Sequence, residues 1–418
     1  MNKRYLLLAL LIPALVFCGK KDPEEPRQEE EKPQTQVEPY QEPVFARNSD
    51  DPADEVISEI PPQIKSGDEV QVTRQYVEKF LSEVSYPDHD YSETKILDYA
   101  GGYNDQNATD YPVYNADKPA MYSIRWEADA SAGELKLTLK DGNWTQTITV
   151  PAGSEYQIIS NLRPNANYTY EVKASSGKIM TSGSFKTKGS LHQVFFDWNV
   201  RNARDLGGWK TYDGKTVKYR KIYRGGRMEG STMSREGRKA ILAEGIKAQL
   251  ELRGKSDMLK WCALGENYDF CNPCIENGGT SMLGTYKEKT KQCFEFVVKC
   301  VREDKPVYFH CSLGRDRTGT LAALLLGVLG VMEGDISKEY ELSYFAPRGW
   351  SIAYSETSKL FRNTRQSEYK SLAGYFWMKG YDKNTNSYAR FDKCVENYLL
   401  EIGVSQKDID DFRSLMLE

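Results

Sequence analysis

Apolar and polar positions change rhythm three times along this chain, and each rhythm predicts a different kind of structure. Between residues 69 and 107, Val72, Tyr76, Val77, Phe80, Leu81 and Val84 recur at helical spacing, which predicts a short amphipathic helix within an irregular connecting segment. From 108 to 189 the period shortens to alternation. The runs YSIRWEA, GELKLTLKDG, WTQTITV, SEYQIISNL, YTYEVKAS and MTSGSFKT are separated by turn residues, and short strands at even spacing predict a β-sandwich. From 190 to 418, strand-like runs (GIKAQLELRG, NYDFCNPCIE, KPVYFHC) alternate with helical stretches (SREGRKAILAE, YKEKTKQCFEFVVKCVRE). That order predicts an α/β domain around a central, mostly parallel sheet, so the expected fold is multidomain.

Two further segments precede these three. Residues 1–18 open with the positive MNKR and continue with the apolar YLLLALLIPALVF, too short to span a membrane and suited to an export signal. The run ends at Cys18 after Leu15, Val16 and Phe17, which resembles the lipobox of bacterial lipoproteins, where the cysteine carries the lipid. Phe17 is bulkier than the small residue usual at that place, and ordinary signal cleavage is the alternative. Residues 19–68 are rich in Glu, Pro and Gln and cannot bury enough apolar surface to offset the entropy of ordering, so they predict a disordered tether. The expected location is the cell envelope of a bacterium, with the membrane held through the N-terminal anchor.

Composition changes this picture in two ways. The formal net charge of −4 over 418 residues argues against bulk attraction to nucleic acid, so any anion site must be local. Of eight cysteines, seven lie beyond Cys18: Cys262, Cys271, Cys274, Cys293, Cys300, Cys311 and Cys394. If Cys311 is a free nucleophile, the other six admit about fifteen pairings. The CNPC stretch at 271–274 suits a disulfide or a redox pair, but no thioredoxin-like pattern surrounds it, which favours a structural role. Three histidines (His89, His192, His310) and the lack of a second CxxC point away from zinc, and no cofactor is implied.

The local anion site is at 310–320, HCSLGRDRTGT, between the strand-like VYFH and an apolar helical stretch. Gly314 and Gly319 permit a tight loop. If Ser312, Leu313, Gly314, Arg315, Asp316 and Arg317 wrap into that loop, their N–H groups converge on one anion, and the following helix directs its dipole at the same point. The Arg317 guanidinium offers two parallel donors to two phosphate oxygens. The same positive surroundings stabilise a thiolate at Cys311. A nucleophile in a phosphate cradle is the arrangement of a phosphatase; a buried, inert cysteine in a turn is the alternative.

The stretch resembles the HCxxGxxR signature of cysteine-dependent phosphatases and, more narrowly, the bacterial tyrosine phosphatase family whose loop reads HCxxGKDRTG. NARDLGGWKTYDGKTVKYRKIYRGGRM, EGIKAQLELRGKSD and CVENYLLEIGVSQKDIDDFRSLML resemble three other segments of that family. The resemblance implies that Cys311 attacks phosphorus, Arg317 and the loop amides hold the phosphoryl oxygens, Thr318 assists the leaving thiolate, and His310 supports the loop. It implies no metal. Asp316 is the first candidate for the proton donor, with Glu251, which replaces the family's aspartate in LELRG, and Asp205 behind it; these carboxylates could equally orient Arg204 or Arg317. Arg315 stands where the family has lysine. Phosphorylated protein, on tyrosine or with dual specificity, is the first expected substrate. Inositol phosphates or phosphoinositides are the alternative, with Arg315 and Arg253 receiving extra phosphates; a catalytically silent phospho-ligand binder is the third reading. Between 108 and 189, Leu162, Pro164, Tyr168 and Tyr170 in NLRPNANYTYEV, with Trp126, resemble the tyrosine corner and core tryptophan of fibronectin type III domains, which implies a spacer or a docking module for partners.

Overall fold

The computed structural model describes residues 59–91, 95–99, 118–197, 200–228, 233–346 and 369–418. The export signal, Cys18 and the tether up to residue 58 lie outside the described residues.

The first sheet has five strands: β1 (Glu69–Gln71), β3 (Leu135–Asp141), β4 (Trp144–Val150), β6 (Asn167–Ala174) and β7 (Ile179–Lys188), in the order β1-β7-β6-β3-β4. All its pairs are antiparallel except β1 with β7. A separate antiparallel pair joins β2 (Tyr122–Arg125) to β5 (Tyr156–Ile159). Alternation explains the burial: Leu135, Leu137 and Leu139 of β3 point inward while Lys136 and Lys140 face out. Ile124 and Ile159 from the small pair close the same apolar cluster as these leucines and Trp126. The Tyr168 hydroxyl accepts from the Arg163 N–H at 2.8 Å, tying the turn before β6 to that strand.

Two expected boundaries move. The tether was drawn to residue 68, yet Ile64 is 1% exposed and its N–H donates to the Ser123 carbonyl, so residues 59–68 pack against the strands. The connecting helix starts at Gln75 rather than Val72, as α1 (Gln75–Glu83), because Glu69–Gln71 extends the five-stranded sheet and buries Val70 and Val72 in its cluster. Val77 and Phe80 of α1, with Ile96 of the short α2 (Ile96–Tyr99), pack with Leu191, Leu342 and Phe345 of the C-terminal region.

That region is built on a sheet of β8 (Arg204–Asp205), β9 (Ile222–Gly225), β10 (Ala248–Glu251), β11 (Asp269–Cys271) and β12 (Val307–His310), ordered β11-β10-β12-β9-β8. Three pairs are parallel, and only β8 with β9 is antiparallel. The residues of β9, β10 and β12 are wholly buried, which a parallel sheet covered on both faces requires. The covering helices are α3 (Arg235–Ala243), α4 (Gly279–Gly284), α5 (Lys287–Arg302), α6 (Asp316–Leu329), α7 (Glu333–Glu341), α8 (Lys370–Trp377), α9 (Phe391–Glu401) and α10 (Gln406–Met416). Helix α6 is apolar on every side because it is the central helix, and from Thr318 onward it is buried throughout.

The two sheet regions meet at a polar joint. Asp141 at the end of β3 receives Nε and Nη2 of Arg163 at 2.7 and 2.8 Å and Nη1 of Arg220, just before β9, at 2.7 Å. Arg220 Nη2 donates to the Tyr168 hydroxyl at 2.8 Å, and its guanidinium lies 3.9 Å from the Trp144 ring.

Candidate active site

Strand β12 delivers Cys311 to its carboxyl end, where open α/β sheets bind ligands. Cys311 is 3% exposed, and residues 311–315 form the loop that leads into α6. Gly314 is required there twice over. Its φ of +71° is left-handed, and a Cβ would stand 2.3 Å from the Gly225 carbonyl carbon. The main-chain N–H groups of Ser312, Leu313, Gly314, Asp316, Arg317 and Thr318 have no protein acceptor among the described residues. The first three belong to the loop and the last three to the first turn of α6, so loop amides and helix dipole act at one place.

The side chains are held by groups far apart in the chain. Arg317 Nη1 donates to the Ile275 carbonyl at 3.0 Å, which anchors the guanidinium to the strand-to-helix segment after β11. That segment crosses the start of α6 closely: a Cβ on Gly278 would lie 2.7 Å from the Arg317 nitrogen, and the Gly279 N–H donates to Thr320 Oγ1 at 2.7 Å. Beneath the loop, Asn202 Nδ2 donates to the carbonyls of Leu313 and Gly314, at 3.3 and 3.0 Å. Arg224 Nη2 donates to the same Gly314 carbonyl. Thr318 Oγ1 is fully buried and has no hydrogen-bond partner among the described residues, leaving a hydroxyl in the first turn of α6 with its donor unspent. His310 is fully buried: its Nε2 lies 2.9 Å from Gln249 Nε2, and Gln249 is oriented by the Ala263 N–H donating to its Oε1 at 2.6 Å. The ring is therefore a fixed support next to Cys311.

The carboxylates separate sharply. Asp316 has a side chain 44% exposed and accepts from Arg315 Nε at 2.8 Å, at the mouth of the loop. Glu251, the second proton-donor candidate, is fully buried, and both its oxygens accept from Arg253 Nε at 3.0 and 2.9 Å. Asp205, the third, is also fully buried and accepts from the Gly207 N–H, the Arg220 N–H and His192 Nδ1. Both are corrected to structural carboxylates, because a saturated buried group cannot meet a substrate. Arg253 is corrected likewise: it is 1% exposed and committed to Glu251, so it is no receptor for an extra phosphate. Arg204 is 3% exposed and donates from Nε to Glu339 Oε1 at 2.8 Å, away from any substrate. Arg315, 14% exposed in its side chain, remains beside the loop.

All seven cysteines of the described residues are free thiols in the structure, including Cys271 and Cys274 of the CNPC stretch. Burial pushes the Cys271 thiol up to about 11. Among the described residues no group of three or more His, Cys, Asp or Glu is placed to hold a metal ion. Reasoning from sequence missed Asn202, Arg224, Glu339 and Ile275. Asn202 and Arg224 fall inside stretches with a recognisable pattern, whereas Ile275 acts through its carbonyl and Glu339 sits on a helix with no motif.

Comparison with known proteins follows the loop. A Cupriavidus necator protein with a provisional tyrosine-protein phosphatase name is 26% identical over 172 residues, 36% of this chain and 62% of that protein. A tyrosine-protein phosphatase of Nostoc commune is 39% identical over 61 residues, 15% of this chain and 20% of its own length. The chain thus spans about three fifths of the first relative and one fifth of the second. Among solved structures, the core catalytic domain of a PP-IP phosphatase from S. cerevisiae, in complex with citrate, aligns at 16% identity and a TM-score of 0.23, covering 37% of this chain and 86% of that one. Residues 198–418 match the family model described as "Tyrosine phosphatase family", and since that is more than half of its length the chain belongs to this family.

Proposed function

We propose that this chain hydrolyses phosphate monoesters through a phosphocysteine intermediate on Cys311, with phosphotyrosine in proteins as the first substrate. The observation that carries the proposal is the position of Cys311 at the end of β12, beside six N–H groups without a protein acceptor among the described residues and at the head of the loop that leads to Arg317. In the first step the Cys311 thiolate forms the S–P bond as the P–O bond to the leaving group breaks, and Asp316 passes a proton to the leaving oxygen. Arg317 and the amides hold the equatorial oxygens as charge redistributes. In the second step water gives a proton back to the Asp316 carboxylate and forms a new P–O bond as the S–P bond breaks, while the Thr318 hydroxyl donates to the departing thiolate. No step calls on a metal, so activity is expected to persist in EDTA; complete loss in chelator would sink the mechanism.

Inositol phosphates are the second reading, and they rest on Arg315 alone now that Arg253 is internal. The N-terminal strands are proposed as a fibronectin-like docking or spacing module. Residues 1–18 are proposed to direct export and lipidation at Cys18, which would place the enzyme at the cell envelope. The test is steady-state hydrolysis of a phosphotyrosine peptide, a phosphoserine peptide, a soluble phosphoinositide and inositol hexakisphosphate, with Cys311→Ser as control. Turnover of the peptides, abolished in the variant, supports the first reading. Preference for the inositol compounds moves it to the second, and phosphate binding without turnover leaves only a binding protein.

A further inference from the structure

We propose that Arg224 and Glu339 are positioning residues of the phosphate loop, acting through the Gly314 peptide. The inference rests on the reading of 311–317 as an anion cradle and adds to it two residues outside the motif.

Amides that point into a cradle leave their carbonyls pointing out, and a buried outward carbonyl needs a donor. The Gly314 carbonyl has two, Asn202 Nδ2 at 3.0 Å and Arg224 Nη2. Because the peptide unit is planar and trans, aiming this oxygen at β9 aims the N–H of residue 315 the opposite way. Asn202 does the same for the Leu313 carbonyl and hence for the Gly314 N–H. Asn202 is itself placed: its backbone is left-handed, with φ +60°, its Nδ2 also donates to Ser343 Oγ at 3.0 Å, and its Oδ1 accepts from Arg204 Nη1.

Arg224 has no exposed surface, and a guanidinium there requires a carboxylate. Glu339 of α7, 1% exposed, supplies it. Its Oε2 accepts from Arg224 Nη1 at 2.6 Å, and its Oε1 accepts from Arg204 Nε at 2.8 Å. The Glu339 main-chain carbonyl accepts from Arg204 Nη2 at 2.8 Å. One carboxylate therefore orients two guanidinium planes, and one of those planes sets the loop. Burial and the nearby Cys311 raise the Tyr308 hydroxyl well above its ordinary range while Arg224 and Arg204 oppose the shift, so both arginines lie within electrostatic reach of the strand that carries the nucleophile. Glu339 is a helix residue 25 positions after Gly314, so only the fold brings it beneath the loop.

The test uses the full chain with Arg224→Met, Arg224→Lys and Glu339→Gln. Affinity for inorganic phosphate is measured calorimetrically in a Cys311→Ser background, and kcat and KM are measured with Cys311 intact. Loss of a charge-assisted hydrogen bond predicts phosphate binding weakened about tenfold or more in Arg224→Met. Arg224→Lys recovers part of that loss, since an ammonium group retains one donor and the charge. Glu339→Gln keeps an acceptor but loses the charge that orients Arg224, so it weakens phosphate binding by a smaller factor, about two- to fivefold, and lowers kcat with it. A general packing defect would weaken phosphate binding to the same degree in all three, and that result, or no change in any, would overturn the proposal. If Arg224→Met does not fold, Glu339→Gln decides alone: phosphate affinity and kcat both unchanged there sink it. Predicted binding shifts in a protein that turns nothing over would refute the phosphatase reading and leave this inference standing.

Discussion

Arg317 and Ile275, 42 residues apart in sequence, are joined by a single hydrogen bond of 3.0 Å from guanidinium to main-chain carbonyl. The Arg317 guanidinium is thus oriented by the segment between β11 and α4, and the same segment approaches the start of α6 at Gly278.

Gly278→Ala puts a Cβ 2.7 Å from the Arg317 nitrogen and 2.8 Å from the Asp316 carbonyl carbon, and both are backbone atoms that cannot swing aside. We expect kcat/KM on an aryl phosphate to fall at least about tenfold, with a stability loss of about 1–3 kcal/mol from overpacking. Asn277→Ala, next to it and exposed, is the control. Kinetics of Gly278→Ala indistinguishable from those of the control would remove Ile275 and Gly278 from the site.

Arg317→Lys keeps the charge but loses the planar fork. The expected loss is about 10²–10³ in kcat/KM, the scale set by removing one preorganised donor from a developing charge. Thermal unfolding should change little, because Arg317 is only partly buried. Full activity in the lysine variant would mean that Arg317 does not contact the phosphoryl group.

Glu251 and Asp316 are separable by pH and by stability. Glu251→Gln leaves the buried Arg253 without its carboxylate and should cost about 3–5 kcal/mol in denaturant unfolding, with the shape of the kcat profile against pH retained. Asp316→Asn should do the reverse, leaving stability near wild type and flattening the limb of that profile on which the acid loses its proton. An exchange of these two phenotypes would return the proton donor to Glu251.

Acid sensitivity has a visible source in the C-terminal helices. Although burial pushes the Glu396 carboxyl up, Arg413, Lys393 and Gln406 outweigh it and hold it at about 2. A carboxyl depressed in the folded state contributes stability above its unfolded value of about 4.3, and that contribution fades as pH falls toward 2. Glu396→Gln should therefore lower Tm at pH 6, and its gap to wild type should narrow steadily as pH falls from about 4 toward 2. A constant gap between the two melting curves across that window would contradict the assignment.

The joint between the two sheet regions should behave as a coupled unit. Asp141→Asn weakens the partner of both Arg163 and Arg220, and Arg220 is also bound to Tyr168. In a double-mutant cycle on thermal stability, Asp141→Asn and Arg220→Met are expected to couple by about 0.5–3 kcal/mol. Strictly additive effects would show that the contact is incidental.

Much of the α/β region could be read in advance because its signals are local. Wholly apolar strands such as VYFH, the Ser234 cap before α3 and the glycines of the loop each reflect a constraint within a few residues. Residues 59–73 escaped because their polar composition hides three inward side chains, Ile64, Val70 and Val72, whose partners come from strands more than 50 residues later. The inward placement of Glu251, Asp205 and Arg253 is hidden from the sequence for a related reason. Charge in a motif says that a group is ionised, and only its neighbours say whether it faces a ligand or another side chain.

By itself the sequence determined the loop chemistry that 310–320 offers and the alternation of strand and helix around it, since a thiol, a guanidinium and glycines at that spacing suit a phosphate cradle and periodicity follows from backbone geometry. Tertiary structure decided which carboxylate faces solvent, what grips Arg317 and what turns the Gly314 peptide. Those relationships join Ile275 to Arg317 and Glu339 to Arg224 across the sheet, and no local pattern encodes a contact that exists only after the chain has folded.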